Sequence, residues 1–200
     1  MENTSALKIT TRPVQVEDLT AVVKLHRKEF TDTINSRLGR EHLRQLYLAM
    51  LRDSNSMVVA AFQDAAVVGV VSATGPEEFK KQFKAGLSLG AKIMLAARIL
   101  VHPSVFPDLW KEREDRPVFF HGNKIIGCLT AIAVDSEHKR KGIGRILVAA
   151  VEEFFRGKGI HSFYLMTRAN NSASRKFYER LGLIELEQRG KDIVLLKEIH

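Results

Sequence analysis

Residues 129–155 read LTAIAVDSEHKRKGIGRILVAAVEEFF. The stretch has three parts. An apolar, β-rich run, continuous with KIIGC before it, ends at Val134. A short polar loop then carries Lys139, Arg140, Lys141, Gly142, Gly144 and Arg145. Behind it, Ile143, Ile146, Leu147, Ala150, Val151 and Phe154 recur at three- and four-residue steps, the period of an amphipathic helix. Gly157 and Gly159 end that helix. A strand, a glycine-bearing basic loop and a helix therefore follow one another. The first turn of a helix has N–H groups without partners and a partial positive charge, so its mouth is an anion site. Glycines there let the backbone approach a ligand and take positive φ. The predicted site is a cradle for a diphosphate, lined by the amides of Arg140, Lys141, Gly142, Ile143, Gly144 and Arg145.

Outward from this unit, the chain alternates strands and helices. ALKITTR reads as a strand stopped by Pro13. Leu19, Val22, Val23, His26 and Phe30 fall on one helical face, and Leu43, Leu46, Tyr47, Met50 and Leu51 on another. SMVVAAFQ and AVVGVVSATG read as strands joined by a tight turn at Asp64 and Ala65. After the central unit, HSFYLMTR is a strand and SASRKFYERLG a short helix, with Ala173, Phe177 and Leu181 on one stripe. Asn171 caps its start and Gly182 its end. LIELEQR and DIVLLKEI form a closing hairpin around Arg189, Gly190 and Lys191. The pattern predicts an α/β (α+β) fold in one domain over residues 1–200, with a central mixed, twisted sheet flanked by helices. A helical insertion is expected after the third strand, at about 76–117. Its segment FKAGLSLGAKIMLAARILV is apolar but interrupted by Lys92 and Arg98, too short and too charged for a membrane span. It reads as a helix packed over the core, with weak membrane contact through 78–101 as the sharper alternative.

Composition narrows the partners. The 200 residues carry 31 Lys and Arg against 23 Asp and Glu, a net charge of +8 that favours anionic ligands. Cys128 is the single cysteine, which excludes an internal disulfide and points to a reducing, cytoplasmic setting. The start, MENTSALKIT, has no apolar core of signal-peptide length. No residue cluster has metal-ligand spacing.

Two common phosphate loops do not match. A Walker loop needs Gly-Lys-Ser/Thr after a four-residue gap, and none is present. A Rossmann fingerprint needs a third glycine where Leu147 stands, and no acidic residue stands out about twenty positions on to hold a ribose. The pattern that remains is R/Q-x-x-G-x-G/A. With LTAIAVDSEHKRKGIGRILVAAVEEFF followed by NNSASRKFYERLGLIE, the chain resembles the GNAT superfamily of acyl-CoA-dependent N-acyltransferases. The resemblance is strong from about Ile125 to Glu185, fainter over 8–74, and absent from 76–117.

The resemblance implies an acetyl-CoA-dependent acetyltransferase acting on an amine. In that family the strand before the loop pairs with the pantetheine arm of acetyl-CoA, which here falls to Ile132, Ala133 and Val134. The loop amides from Arg140 to Arg145 would hold the diphosphate. Asn171 stands where the family has an asparagine that touches the cofactor, and Tyr178 where it has a tyrosine near the sulfur. Tyr178 is the candidate general acid, since a phenol with its ordinary pKa near 10 is protonated at neutral pH. Two positions depart from the family: Lys139 replaces Arg or Gln, losing the planar fork, and Ser136 stands where proline is common. Relatives often place a glutamate on the strand before the loop, whereas CLTAIAV has no acidic residue. His26, His121, Asp135, His138 and a water chain all remain open as the base. The acceptor is an amino sugar, a small amine or a protein amino group, and the assembly a monomer or homodimer. A non-catalytic acyl-CoA sensor is the alternative. A nucleic-acid-binding module fits less well, because basic and aromatic residues are not interleaved as a stacking platform needs.

Overall fold

The computed structural model describes residues 9–31, 33–75 and 116–199. The first hairpin of the sheet is the one the sequence marks. β2 (Ser56–Gln63) and β3 (Ala66–Thr74) pair antiparallel, and the turn between them holds Asp64 at φ +54. β1 (Ile9–Pro13) adds antiparallel to β2. On the other side β3 pairs antiparallel with β6 (Gly127–Val134). Next comes β7 (Ser162–Arg168), parallel to β6, then β9 (Asp192–Glu198) and β8 (Ile184–Arg189). The sheet has seven strands in the order β1-β2-β3-β6-β7-β9-β8. One parallel pair among antiparallel ones makes it mixed, as expected.

Helices cover both faces. α1 (Leu19–Glu29) and α3 (Arg40–Arg52), with the short α2 (Ile34–Arg37) between them, lie on one side. There Leu19, Val22, Val23, Leu43, Tyr47 and Met50 pack against Val58, Ala60, Val70 and Ala133. α4 (Ile143–Gly157) and α5 (Ser172–Arg180) cover the opposite face, where Ile143, Leu147, Val151, Phe155 and Tyr178 meet Val71, Leu129, Phe163 and Leu165. A fully buried Leu or Phe contributes about 1.5–3 kcal/mol, so these two apolar layers are the main force holding the helices to the sheet.

The expected helix faces are rotated in two places. On α4 the buried residues are Ile143, Leu147, Val148, Val151 and Phe155, while Ile146 is 44% exposed. On α5, Ala173 is exposed and Tyr178 is the buried residue, so the core stripe runs through Phe177, Tyr178 and Leu181. The run KIIGCLTAIAV is also divided. Asn123–Ile125 form β5, which pairs with β4 (Val118–Phe120) in a separate two-stranded sheet, and the long strand begins afresh at Gly127. The insertion expected at about 76–117, with its membrane alternative at 78–101, lies almost wholly outside the described residues. Among the described residues no helix is long and apolar enough to cross a membrane.

Candidate active site

The site begins where two neighbouring strands part. β6 and β7 pair only at Gly127–Phe163 and Cys128–Tyr164. A side chain at residue 127 would stand 3.0 Å from the Phe163 Cβ and from the Ser162 carbonyl, so glycine permits the close approach. Beyond that point β6 follows β3 to Val134, while β7 follows β9 to Arg168. From Leu129 onward, the edge of β6 that faces the gap has no strand partner among the described residues. Unpaired N–H and C=O groups there can bind an extended, amide-bearing chain as an added strand would. Ile132, Ala133 and Val134 lie on this free stretch. Ile132 and Val134 pack on the α4 side of the sheet and Ala133 on the α1 side.

The polar loop closes the upper end of the gap. A short 3-10 turn, Ser136–His138, follows Asp135, whose carboxylate accepts from the Glu137 N–H at 3.0 Å. Arg140 takes φ +64 and Gly142 φ +80. Gly142 is the N-cap of α4, and the Ile146 N–H to Gly142 carbonyl bond at 3.2 Å is the first bond of the helix. The amides of Ile143, Gly144 and Arg145 therefore have no carbonyl behind them to bond. Arg140, Lys141 and Arg145 are exposed, and none has an ion-pair partner among the described residues. The two glycines meet different demands. A Cβ on Gly142 would meet nothing within 4 Å, and what the position needs is positive φ. A Cβ on Gly144 would stand 2.9 Å from Phe177 Cζ, so this glycine admits the α5 ring against the mouth of α4.

Lys139 turns away from the loop's cationic group. Its ammonium pairs with Glu29 at 2.7 Å, and the same carboxylate accepts from the Ser136 N–H at 3.2 Å. Lys28 pairs with Asp135 at 2.8 Å and holds that carboxyl below its ordinary pKa. The end of α1 thus clamps the start of the loop. Nothing in the sequence marks Lys28 and Glu29 for this, because they lie about 107 positions before their partners.

α5 supplies the remaining candidates. The Asn171 side-chain oxygen caps the helix, accepting from the Ser174 N–H at 3.1 Å, as its position predicts. Tyr178 lies beside Phe177, ring centroids 5.1 Å apart, and is only 7% exposed. Burial pushes its phenol up to about 12. The group is thus a proton-bearing phenol throughout the neutral range.

The four candidate bases divide. His121 lies in the β4–β5 turn at φ +47. His138 is part-buried: its Nδ1 is buried without a hydrogen bond, 3.7 Å from Asp135. Asp135 is held by Lys28. His26 is a core residue, 5% exposed, with Nδ1 bonded to the Tyr47 hydroxyl at 2.8 Å and Nε2 without a partner. Burial takes its pKa down to about 4. No group of three or more His, Cys, Asp or Glu among the described residues could hold a metal ion.

Known proteins resemble the chain in sequence and in fold. The chain is 32% identical over 75 residues to the ribosomal protein bS18-alanine N-acetyltransferase of Salmonella typhimurium strain LT2, covering 36% of this chain and 51% of that protein. The Escherichia coli K12 enzyme of the same name is 37% identical over 54 residues, covering 27% and 36%. The chain therefore spans about half or less of the curated relatives it matches. Its fold resembles that of the PaiA N-acetyltransferase from Thermoplasma acidophilum in complex with coenzyme A, with a TM-score of 0.63 at 15% identity over 96% of this chain and 99% of that one. The Escherichia coli ribosomal-protein-S18-alanine N-acetyltransferase gives 0.60 at 16% identity, over 96% and 94%. Residues 19–183 match the pattern of the acetyltransferase (GNAT) family. The chain belongs to that family.

Proposed function

We propose that the protein is an N-acetyltransferase that moves an acetyl group from acetyl-CoA to a primary amine, working as one domain in the cytoplasm. The observation that carries this reading is the parting of β6 and β7 directly below an amide-lined turn. A strand edge that can pair with the amides of a pantetheine arm leads to a helix mouth that can hold a diphosphate. Both fit coenzyme A on residues present here: the free stretch Ile132–Val134, the unbonded amides of Ile143, Gly144 and Arg145, and the cations of Arg140, Lys141 and Arg145. The helix dipole contributes about 0.3–1 kcal/mol to such a contact, so several amide bonds must act together.

The bound thioester supplies an activated acyl carbon. An amine attacking it forms the C–N bond as the C–S bond breaks, the nitrogen sheds one proton to solvent water, and the departing thiolate takes one up. The protein must place the amine, stabilise the oxyanion and return a proton to the departing sulfur. The unpaired N–H groups of β6 are the oxyanion donors this reading requires. Tyr178 is the proton source, since burial keeps its phenol protonated. The curated relatives carry alanine N-acetyltransferase in their names, so a protein amino group is the first acceptor class to test, ahead of small amines and amino sugars.

Calorimetry of the full chain with coenzyme A, acetyl-CoA, ATP and NAD tests the reading. Binding of the two CoA species alone is the expected result, and a ligand at a hundred times its Kd adds about 2.7 kcal/mol of thermal stability. Absence of heat with both CoA species, from folded protein, sinks the assignment.

A further inference from the structure

The bulge in β6 places one hydroxyl at the apex of the gap. Ala131 lies opposite Ser72 and Leu129 opposite Ala73, so Thr130 is the extra residue. It is exposed, and it follows the last β6–β7 pair by two residues. Thr130 Oγ1 donates to the Ser72 carbonyl at 3.0 Å and lies 2.8 Å from the Ser72 hydroxyl. Ser72 points into the apolar layer under α1 and α3, where the Tyr47 phenol meets His26 Nδ1 at 2.8 Å. Ser72, Tyr47 and His26 are 2%, 1% and 5% exposed. Four polar side chains, three of them buried, cost desolvation unless each bond is made.

Counting hydrogens fixes the direction of the Thr130–Ser72 contact. The single Thr130 hydroxyl hydrogen goes to the Ser72 carbonyl, so in the 2.8 Å contact the Ser72 hydroxyl must donate to Thr130. The reverse direction would ask one Thr130 hydrogen to serve two acceptors. Deeper in the layer, His26 Nε2 has no partner and carries a bare lone pair, cheaper to bury than an orphaned N–H, so Nδ1–H donates to the Tyr47 oxygen. Thr130 itself has no hydrogen left to offer the gap, only a lone pair.

A lone pair at that point selects an N–H donor. α4 and its loop lie on one face of the sheet, while Thr130 bonds to Ser72 at the edge of the layer beneath α1 and α3. With an acyl donor held from the α4 side, the acceptor amine approaches from the Thr130 side. We propose that Thr130 Oγ1 receives an N–H of the attacking amine, aiming the nitrogen lone pair at the acyl carbon, and that Ser72 is the positioning residue that holds Thr130 in the accepting polarity. The inference rests on the acyl-transfer reading above.

The test uses the full chain with saturating acetyl-CoA and three probe amines: a peptide with a free N-terminal alanine, putrescine and glucosamine. For the amine turned over best, Thr130→Val lowers kcat/KM about tenfold, and Thr130→Ser restores it to within about threefold of wild type. Coenzyme A affinity, read by calorimetry, stays within about twofold in both. Wild-type kcat/KM in Thr130→Val, or a loss confined to coenzyme A affinity, overturns the proposal and leaves the acyl-transfer reading intact. Ser72→Ala removes the hydroxyl that orients Thr130 and should lower kcat/KM for the same amine about threefold or more, with coenzyme A affinity kept within about twofold. Unchanged kcat/KM removes Ser72 as a positioning residue and overturns that part of the proposal. If wild-type protein neither binds coenzyme A nor acetylates any probe, the acyl-transfer reading falls, and the amine role of Thr130 with it.

Discussion

Alanine at position 144 separates packing from backbone effects in the loop. Gly144 is the second residue of α4, so alanine there gains about 1 kcal/mol of helix propensity. Against this, its methyl would lie 2.9 Å from Phe177 Cζ and 3.2 Å from Cε2, closer than ordinary contact. Opening such a contact in a packed layer costs about 1–3 kcal/mol. The net expectation is a loss of about 1 kcal/mol in urea unfolding. The sharper expectation is a change of sign. With Phe177→Leu as background the ring is gone, the propensity gain stands alone, and Gly144→Ala becomes stabilising by about 1 kcal/mol. Gly142→Ala is the control. Nothing lies near its methyl, but φ +80 costs an L-residue about 1–2 kcal/mol in any background. It should therefore add independently of Phe177. If Gly144→Ala has the same effect with and without the ring, the α4–α5 contact does not explain that glycine.

Tyr178→Phe removes the proposed acid and should lower turnover about a hundredfold or more, with coenzyme A affinity kept within about twofold. Because burial holds the phenol near 12, an alkaline fall in kcat below about pH 10 would have to come from another group. His26 makes stability sensitive to acid. Its folded pKa of about 4 lies below the unfolded 6.5, so its neutral form contributes fully above 6.5. As pH falls from 6.5 to 4, the unfolded chain takes up the proton first and about 3 kcal/mol is lost. Urea midpoints at about pH 7 and pH 4.5 should differ less in His26→Gln than in wild type, and equal differences would remove His26 as the cause.

The legible parts of the molecule are those where one physical rule acts alone. Period-2 and period-3.6 patterns place β2, β3, α1, α3 and α4, because each buries one face against the sheet. Asn171 is readable as a cap because a cap needs only its own helix. What stays hidden depends on distant neighbours. The exact faces of α4 and α5 are set by the sheet and by each other, which buries Tyr178 in place of Ala173. The break between β5 and β6 separates two sheets inside one apolar run, where composition does not change. The packing demand on Gly144 stays hidden because sequence cannot show that the Phe177 ring, far along the chain, comes to rest against it. The site residues emerge through resemblance more than through periodicity. The Thr130–Ser72 pair is not legible at all, since hydroxyls on two separate strands form no pattern until the bulge brings them together.

α1 joins the core to the loop. Val22, Val23 and His26 face the buried layer, where His26 meets Tyr47. Near the end of the same helix, Lys28 and Glu29 hold Asp135, Ser136 and Lys139 at the start of the loop before α4. A helix is stiff over so few residues, so the start of the loop is referenced to the core through the same rod. The surface ion pairs are individually weak, about 0–1 kcal/mol, and do not explain the fold's stability. Their effect is geometric. The first residues of the loop are tied to α1, and Gly142 and Gly144 then settle the backbone and the α5 contact. Lys139 thereby serves orientation, which leaves Arg140, Lys141 and Arg145 as the cations available to an incoming diphosphate. The departure from arginine at 139 is consistent with that division of roles. A point charge suffices to reach one carboxylate, whereas a fork would be needed only if residue 139 gripped the phosphate itself.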